Sequence, residues 1–174
     1  VYIHIDDVND NDPNFDGMNP LRHMDETRSG DAFVFNATAE DPDLGEAGRM
    51  TYSIIDASDV GRFRIDSDSG AVYGVGGFDY ETQKRNFSIT IQASDQGDPK
   101  LAVQTKRKSE KTVTIFIDDV NDNYPRIQSG VRIDVMENQN PEGYNFPFTD
   151  NAEANGVRFE DKDAEANGVF TFAI

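Results

Sequence analysis

The run Asp7-Val-Asn-Asp-Asn-Asp-Pro13 returns as Asp119-Val-Asn-Asp-Asn-Tyr-Pro125, and a repeat of this kind restricts the chain to tandem modules. The offset is 112 residues (119 minus 7), the length of one ordinary domain. Aspartate and asparagine offer hard oxygen ligands from side chain and backbone, and the proline after them stiffens the hand-over from one module to the next. A linker so dense in oxygen is a calcium-site candidate, which puts metal at the joints.

Charge sharpens this reading. The 174 residues hold 33 acids against 16 bases, a net charge of −17. Nucleic acid is an unsuitable partner for such a surface, because phosphate binding needs a basic face to release counterions; cations suit it better. With no cysteine there is no disulfide framework and no CxxC metal or redox site. With no charged-then-apolar leader pattern and no run of about 18 apolar residues, neither a signal peptide nor a membrane span is expected in these residues. The opening Val1-Tyr-Ile-His-Ile5 reads as the last strand of a preceding domain, so the sequence is expected to be a fragment.

Short runs rich in Val, Ile, Phe, Tyr and Thr recur between Gly, Asp, Asn and Ser clusters, and no long segment carries a 3.6-residue apolar stripe. The expectation is an all-β, seven-stranded Greek-key sandwich with strands at 33–39, 50–55, 62–65, 71–75, 87–94 and 112–118. Asp66-Ser-Asp-Ser-Gly70 reads as a tight turn rather than a metal loop, with Gly70 free to take a positive φ. Segment 98–111, with Lys106-Arg107-Lys108, is expected as an exposed loop whose basic triplet is solvated rather than a localisation signal. The domain reading is 1–12 as the end of one repeat with its linker, 13–124 as a complete repeat with its linker, and 125–174 as the start of the next. In that last part Ala152-Glu-Ala-Asn-Gly-Val157 recurs as Ala164-Glu-Ala-Asn-Gly-Val169, a duplication without a physical account. The span from Glu137 to Asp161 exceeds that from Glu26 to Asp41, and the extra residues are expected to lengthen a loop.

Acidic residues also fall in an ordered set: Asp25-Glu26-Thr27, Asp41-Pro-Asp43, Asp79-Tyr-Glu81, Ala93-Ser-Asp95-Gln-Gly97, then Glu137-Asn138 and Asp161-Lys-Asp163. Together with Asp-x-Asn-Asp-Asn-x-Pro this set resembles the calcium-binding motifs of cadherin extracellular repeats, over essentially the whole chain. The resemblance implies an immunoglobulin-like topology in tandem repeats and three calcium ions at each inter-repeat joint. At the central joint it implies a first ion on Glu26, Asp79, Glu81 and Asp122. A second would share Glu26, Glu81 and Asp122 and add Asp119, the Val120 carbonyl and Asp163. A third would use Asn121, the Asn123 carbonyl, Asp161, Asp163 and the Asn167 carbonyl, with a last carboxylate beyond Ile174. At the amino-terminal joint it implies a third-ion site on Asn9, the Asn11 carbonyl, Asp41, Asp43, the Ala47 carbonyl and Asp95. Asp7, the Val8 carbonyl and Asp10 are left as half of the other two. Ala47 stands where asparagine is usual and Tyr80 where arginine is frequent; neither change removes a ligand.

Charge arithmetic points the same way. The seven carboxylates named for the central joint approach neutrality only against the six positive charges of three calcium ions. Two like charges about 4 Å apart repel by roughly 4 kcal/mol at an effective dielectric of about 20, so a metal-free joint must splay or protonate. An EF-hand does not fit: the twelfth positions from Asp7 and Asp119 are Met18 and Gly130, where a bidentate glutamate is required. Paired carboxylates could serve a glycosidase, but there is no nucleophile elbow, no HExxH and no phosphate-cradling loop, and His4 and His23 are the only imidazoles. No enzyme is expected. Asn36-Ala-Thr38 and Asn86-Phe-Ser88 are sequons compatible with a secreted glycoprotein.

The expected function is a calcium-binding ectodomain segment on the extracellular side of the plasma membrane, rigidified by calcium for cell–cell adhesion, its parent anchored outside this fragment. Its partners would be other cadherin ectodomains or an extracellular protein ligand. The other reading is a non-adhesive receptor or mechanical tether. The strand-swapping mode of some cadherins needs an amino-terminal tryptophan, and the chain has none. A mid-ectodomain segment, monomeric or weakly associating in calcium, is therefore expected.

Overall fold

A computed structural model describes residues 1–4, 6–27, 29–97, 105–124, 126–127, 146–148, 153–154, 157–163 and 170–172; for 127, 146–148, 153–154, 157–160 and 170–172 only the backbone is described. The chain divides into two compact units, Val1–Asp118 and Asp119–Ile174.

The first unit carries seven strands: β1 (Leu21–Asp25), β2 (Ala32–Asn36), β3 (Thr51–Ala57), β4 (Phe63–Ile65), β5 (Ala71–Gly74), β6 (Asn86–Ser94) and β7 (Lys108–Asp118). One sheet runs β1-β7-β6-β3 and the other β2-β5-β4; the chain crosses between them after β1, β2, β3 and β5, while β4–β5 and β6–β7 are neighbours within a sheet, in a Greek-key sandwich. The strands form where apolar residues alternate. On β6, Phe87, Ile89, Ile91 and Ala93 point inward, and on β7, Val113, Ile115 and Ile117 do the same; all seven are at most 3% exposed. They pack against Met24, Phe35, Phe63, Val72 and Phe78. Phe63, Phe78 and Phe87 form a triangle with centroids 5.5–5.6 Å apart, and the Arg62 guanidinium covers Phe78 at 4.1 Å.

Turn chemistry joins the strands. Asp66 Oδ1 accepts from the Ser69 amide at 2.9 Å and the Ser69 hydroxyl at 2.7 Å, and Gly70 adopts φ 71°, so this loop is the turn its sequence suggests. A Cβ on Gly70 would lie 2.3 Å from the Ala37 carbonyl oxygen, which leaves glycine as the only fit.

Three local expectations change. Leu21–Asp25 is a strand that the sequence did not signal: only Met24 of its five side chains is buried, so it lacks clean alternation, and it is held by parallel pairing to β7. Strand β7 starts at Lys108 instead of inside a loop ending at 111, because Lys108–Lys111 pair with Ser94–Ile91 of β6. Residues 1–4 form no strand; Val1, Tyr2 and Ile3 are fully or nearly fully exposed, and no β-ladder takes them up.

In the second unit β8 (Arg126–Ile127) pairs with β11 (Val157–Glu160), β10 (Glu153–Ala154) with β11, and β9 (Phe146–Phe148) with β12 (Phe170–Phe172), all antiparallel. The span from 137 to 161, expected to hold a lengthened loop, thus contributes β9, β10 and β11. Pro125, Glu137, Asn138 and 164–169 lie outside the described residues.

Candidate metal centres

Strand β7 sets the poles of the first unit. The Asp95 amide donates to the carbonyl of Arg107, just before β7, and the Glu26 amide donates to that of Asp118, its last residue. With 11 residues at about 3.3 Å each, the two acids stand roughly 35 Å apart along the sandwich.

At the first pole Pro13 is fully buried, and Asn14 and Glu40 exchange backbone hydrogen bonds at 2.8 and 2.9 Å. This pins the linker beside loop 41–48. Asp43, 6% exposed, accepts from the Asn11 amide nitrogen at 3.1 Å and from the Asn11 side-chain Nδ2. The Asp43 amide donates to Asp41 Oδ1 at 2.9 Å. Asp95, wholly buried, accepts from the Asn9 Nδ2 at 2.8 Å, the Gly97 amide at 2.9 Å and the Arg107 amide at 3.0 Å. Asp7 reaches the same loop, accepting from the Leu44 amide at 2.7 Å, and Asp10 accepts from Asn11 Nδ2 at 2.9 Å. The Gln96 amide donates to Glu46 O, drawing the loop that bears buried Ala47 toward Asp95. A Cβ on Gly48 would lie 2.0 Å from the Asp43 carbonyl oxygen, so the loop closes this tightly only with glycine there. Val8 is exposed; its carbonyl alone was expected as a ligand.

Two acceptors in this cluster, Asp41 Oδ2 and Asn9 Oδ1, are buried without a hydrogen-bond partner. Such atoms are costly unless something positive meets them. Burial raises the Asp41 carboxyl above its ordinary value, opposed by the Asp43 amide bond and reinforced by the charges of Asp43, Asp95 and Asp12. For Asp43 burial also pushes upward, but the bonds from Asn11, the Asp10 backbone and the field of Arg107 carry the net shift downward. Asp41, Asp43 and Asp95 at one end of a small domain, with orphaned oxygens on Asp41 and Asn9, suit a hard oxygen-seeking cation. A half-turn of the Asn9 amide exchanges Nδ2 and Oδ1 and would add one more oxygen facing Asp95.

At the second pole one carboxylate oxygen from each of Glu26, Asp79 and Glu81 lies within 4.8 Å of the others, close enough for one metal ion. Glu26 is 8% exposed and accepts from the Tyr80 amide at 2.9 Å; backbone bonds between Thr27 and Phe78, at 3.1 and 2.6 Å, set the two loops side by side. The Asp79 carboxyl is held below its ordinary value chiefly by hydrogen bonding from Thr82, against the pull of burial, so it stays ionised and available as a ligand.

In the second unit Asp163, 1% exposed, accepts from the Asn123 amide at 3.2 Å and from Asn123 Nδ2 at 2.6 Å. Asn123 Nδ2 also donates to Asp122 Oδ1 at 2.9 Å, and the Asp163 amide donates to Asp161 Oδ1 at 3.0 Å. Asp119 is half-buried, Val120 and Asn121 are exposed, and Asn167 lies outside the described residues.

One participant was missed. Arg107, read as part of a solvated triplet, donates from Nη1 to Asp12 Oδ1 at 2.7 Å and from Nε to the Asn9 carbonyl at 3.3 Å. No local signal marked it, because its partners lie 95 and 98 positions away. His4 and His23 are exposed, His4 beside Asp6 at 3.3 Å and His23 beside Asp118 at 3.0 Å.

A family model for the cadherin domain matches residues 21–118, more than half of the chain. The Fat-like cadherin-related tumor suppressor homolog of Drosophila melanogaster is 38% identical over 128 residues, covering 74% of this chain and 3% of that protein. Protocadherin gamma-B2 of Homo sapiens is 37% identical over 133 residues, 73% of this chain and 13% of that protein. The chain therefore spans a small fraction of these relatives' lengths. Among solved structures, extracellular cadherin domains 3-6 of protocadherin gamma B2 superpose with TM-score 0.69 at 29% identity, covering 94% of this chain and 38% of that one. The cis-dimer structure of protocadherin gammaB7 domains EC3-6 gives TM-score 0.66 at 29% identity, 92% of this chain and 37% of that one. From motif, fold and relatives alike, the chain belongs to the cadherin family.

Proposed function

We propose that this chain is a calcium-binding ectodomain segment, with repeats at 13–124 and from 125 onward joined by linkers at 7–12 and 119–124. The observation that carries the reading is the set of buried acids around Asn9 and Asn11, with Asp41 Oδ2 and Asn9 Oδ1 lacking partners. Asn9, the Asn11 carbonyl, Asp41, Asp43, the Ala47 carbonyl and Asp95 would hold one ion there, with Asp7, the Val8 carbonyl and Asp10 turned toward the two others of that joint. Glu26, Asp79 and Glu81 would act with Asp119, the Val120 carbonyl, Asn121, Asp122, Asn123, Asp161, Asp163 and the Asn167 carbonyl at the central joint. Bound calcium supplies the positive charge that lets these carboxylates stay ionised and close.

The chain's own residues do the rest. Pro13 and the Asn14–Glu40 pairing anchor the linker, the backbone amides of Asn11, Asp43 and Gly97 orient the carboxylates, and the linker is thereby converted from hinge to strut. Dissociation constants of about 10⁻⁴–10⁻³ M, typical of extracellular modules, would tune such sites to free calcium outside cells. The role is adhesive rather than catalytic. A related solved structure described as a cis-dimer of cadherin domains supports other cadherin ectodomains as partners, and solved relatives described as extracellular cadherin domains support an extracellular location. Small-angle scattering tests the strut: calcium should narrow the distribution of chain dimensions relative to chelator, and identical profiles in both would refute it.

A further inference from the structure

The linker before the first module is gripped by a protein cation. Arg107 spans its two ends, reaching the carbonyl of Asn9 and the carboxylate of Asp12, while its own amide holds both oxygens of Asp95 at 3.0 Å. Asn9 in turn donates from Nδ2 to Asp95 at 2.8 Å and to the Thr105 carbonyl at 3.3 Å. Segment 9–12, which carries Asp10 and Asn11, is therefore bracketed from one residue nearly a hundred positions away. The field of Arg107 also reaches Asp43 and Asp10. By charge alone a guanidinium here opposes a metal cation, since the two positive charges repel. Its planar fork can nonetheless fix backbone and carboxylate together in one pre-organised geometry, which the rotating ammonium of a lysine on its flexible stem lacks.

We propose that Arg107 is a positioning residue that docks linker 9–12 on the module before metal arrives, so that it raises calcium affinity at the amino-terminal site despite its positive charge. The ordering cost of the linker is then met within the fold and not at the moment of binding. The affinity part of this rests on the calcium reading above; the docking part does not.

Charge and docking predict opposite signs, which makes the test direct. Calcium is titrated into the whole chain while the amide resonances of Asn11 and Gly97 report this site, with Ser69 as a remote control. Hydrogen exchange at 9–12 is measured separately in chelator. Arg107→Ala should move the calcium midpoint upward about tenfold and speed exchange at 9–12, with the chelator melting temperature nearly unchanged because the side chain is 38% exposed. Arg107→Lys, which keeps the charge without the fork, should fall between. A midpoint that stays put or moves down in Arg107→Ala, the result charge alone demands, overturns the affinity claim. Unchanged exchange at 9–12 overturns docking. Absence of any calcium response in the unsubstituted chain sinks the calcium reading instead, and the exchange measurement still decides whether Arg107 docks the linker.

Discussion

The cluster around Asn11 and the cluster around Asn123 make the same hydrogen bonds across different lengths of chain. In each, an asparagine amide and its side chain grip the second aspartate of an Asp-x-Asp pair, the asparagine Nδ2 touches the preceding aspartate, and the second aspartate's amide closes onto the first. Asn11 and Asp43 are 32 positions apart, whereas Asn123 and Asp163 are 40 apart. Extra residues in between leave the pattern intact, so it is the motif's own donors and acceptors that dictate geometry and the intervening loop absorbs the difference. The first cluster continues into a wider network through Asp95 and Arg107.

The largest expected effect serves as a control that should ignore both clusters. Phe78→Ala removes one corner of the aromatic triangle and should cost about 3–5 kcal/mol in calcium and in chelator alike; a cost that depended on calcium would tie the core to the metal sites. Next, Asp122→Ala, which removes a ligand proposed for two ions, should weaken calcium binding far more than Asp68→Ala in the β4–β5 turn, and equal effects in a calorimetric titration would discredit the ligand assignment. Asp43→Asn and Asp163→Asn then set the two clusters against each other. Each should weaken calcium at its own site by about tenfold, near 1.4 kcal/mol, and leave the other site unmoved; cross-talk would show that the clusters are not separate copies of one device.

The smallest effect is a pH dependence away from any metal ligand. The Asp66 carboxyl lies below its ordinary value of 3.8, first because the Ser69 amide and hydroxyl bond to it. A depressed folded value means stability that is present above 3.8 and lost as pH falls through the lower folded value. Asp66→Asn should therefore be slightly less stable than the parent at neutral pH, and the two melts should converge in strong acid. A gap that persisted there would contradict the turn's charge-assisted bonds.

Much of the site could be read from the sequence because a carboxylate's chemistry travels with its identity. Carboxylate oxygens of Glu26, Asp79 and Glu81 lie within 4.8 Å of one another, and the Asp43 amide closes on Asp41, which feels the charge of Asp95. The strands with inward Ile and Val at every second place, β6 and β7, were equally plain. What escaped lacked a local signature. Leu21–Asp25 buries one side chain and owes its strand to a partner some 93 residues later (Leu21 with Thr114). Lys108–Lys111 extend β7 beyond the core, held by ladder bonds and by Gln92 donating to Glu110 at 2.9 Å, with no apolar pattern to announce them. Arg107 makes its contacts 95 and 98 positions away, and nothing in a basic triplet reveals which carboxylate it will meet.

A thermal melt of the whole chain in excess chelator, in millimolar calcium and in equal magnesium bears most directly on whether these acids are metal sites. Calcium at a hundred times its dissociation constant stabilises the folded state by about 2.7 kcal/mol per site. A marked rise in melting temperature with calcium, little with magnesium and much reduced in Asp43→Asn is the predicted result; melts that coincide in all three conditions would contradict it and leave the acids as surface charge.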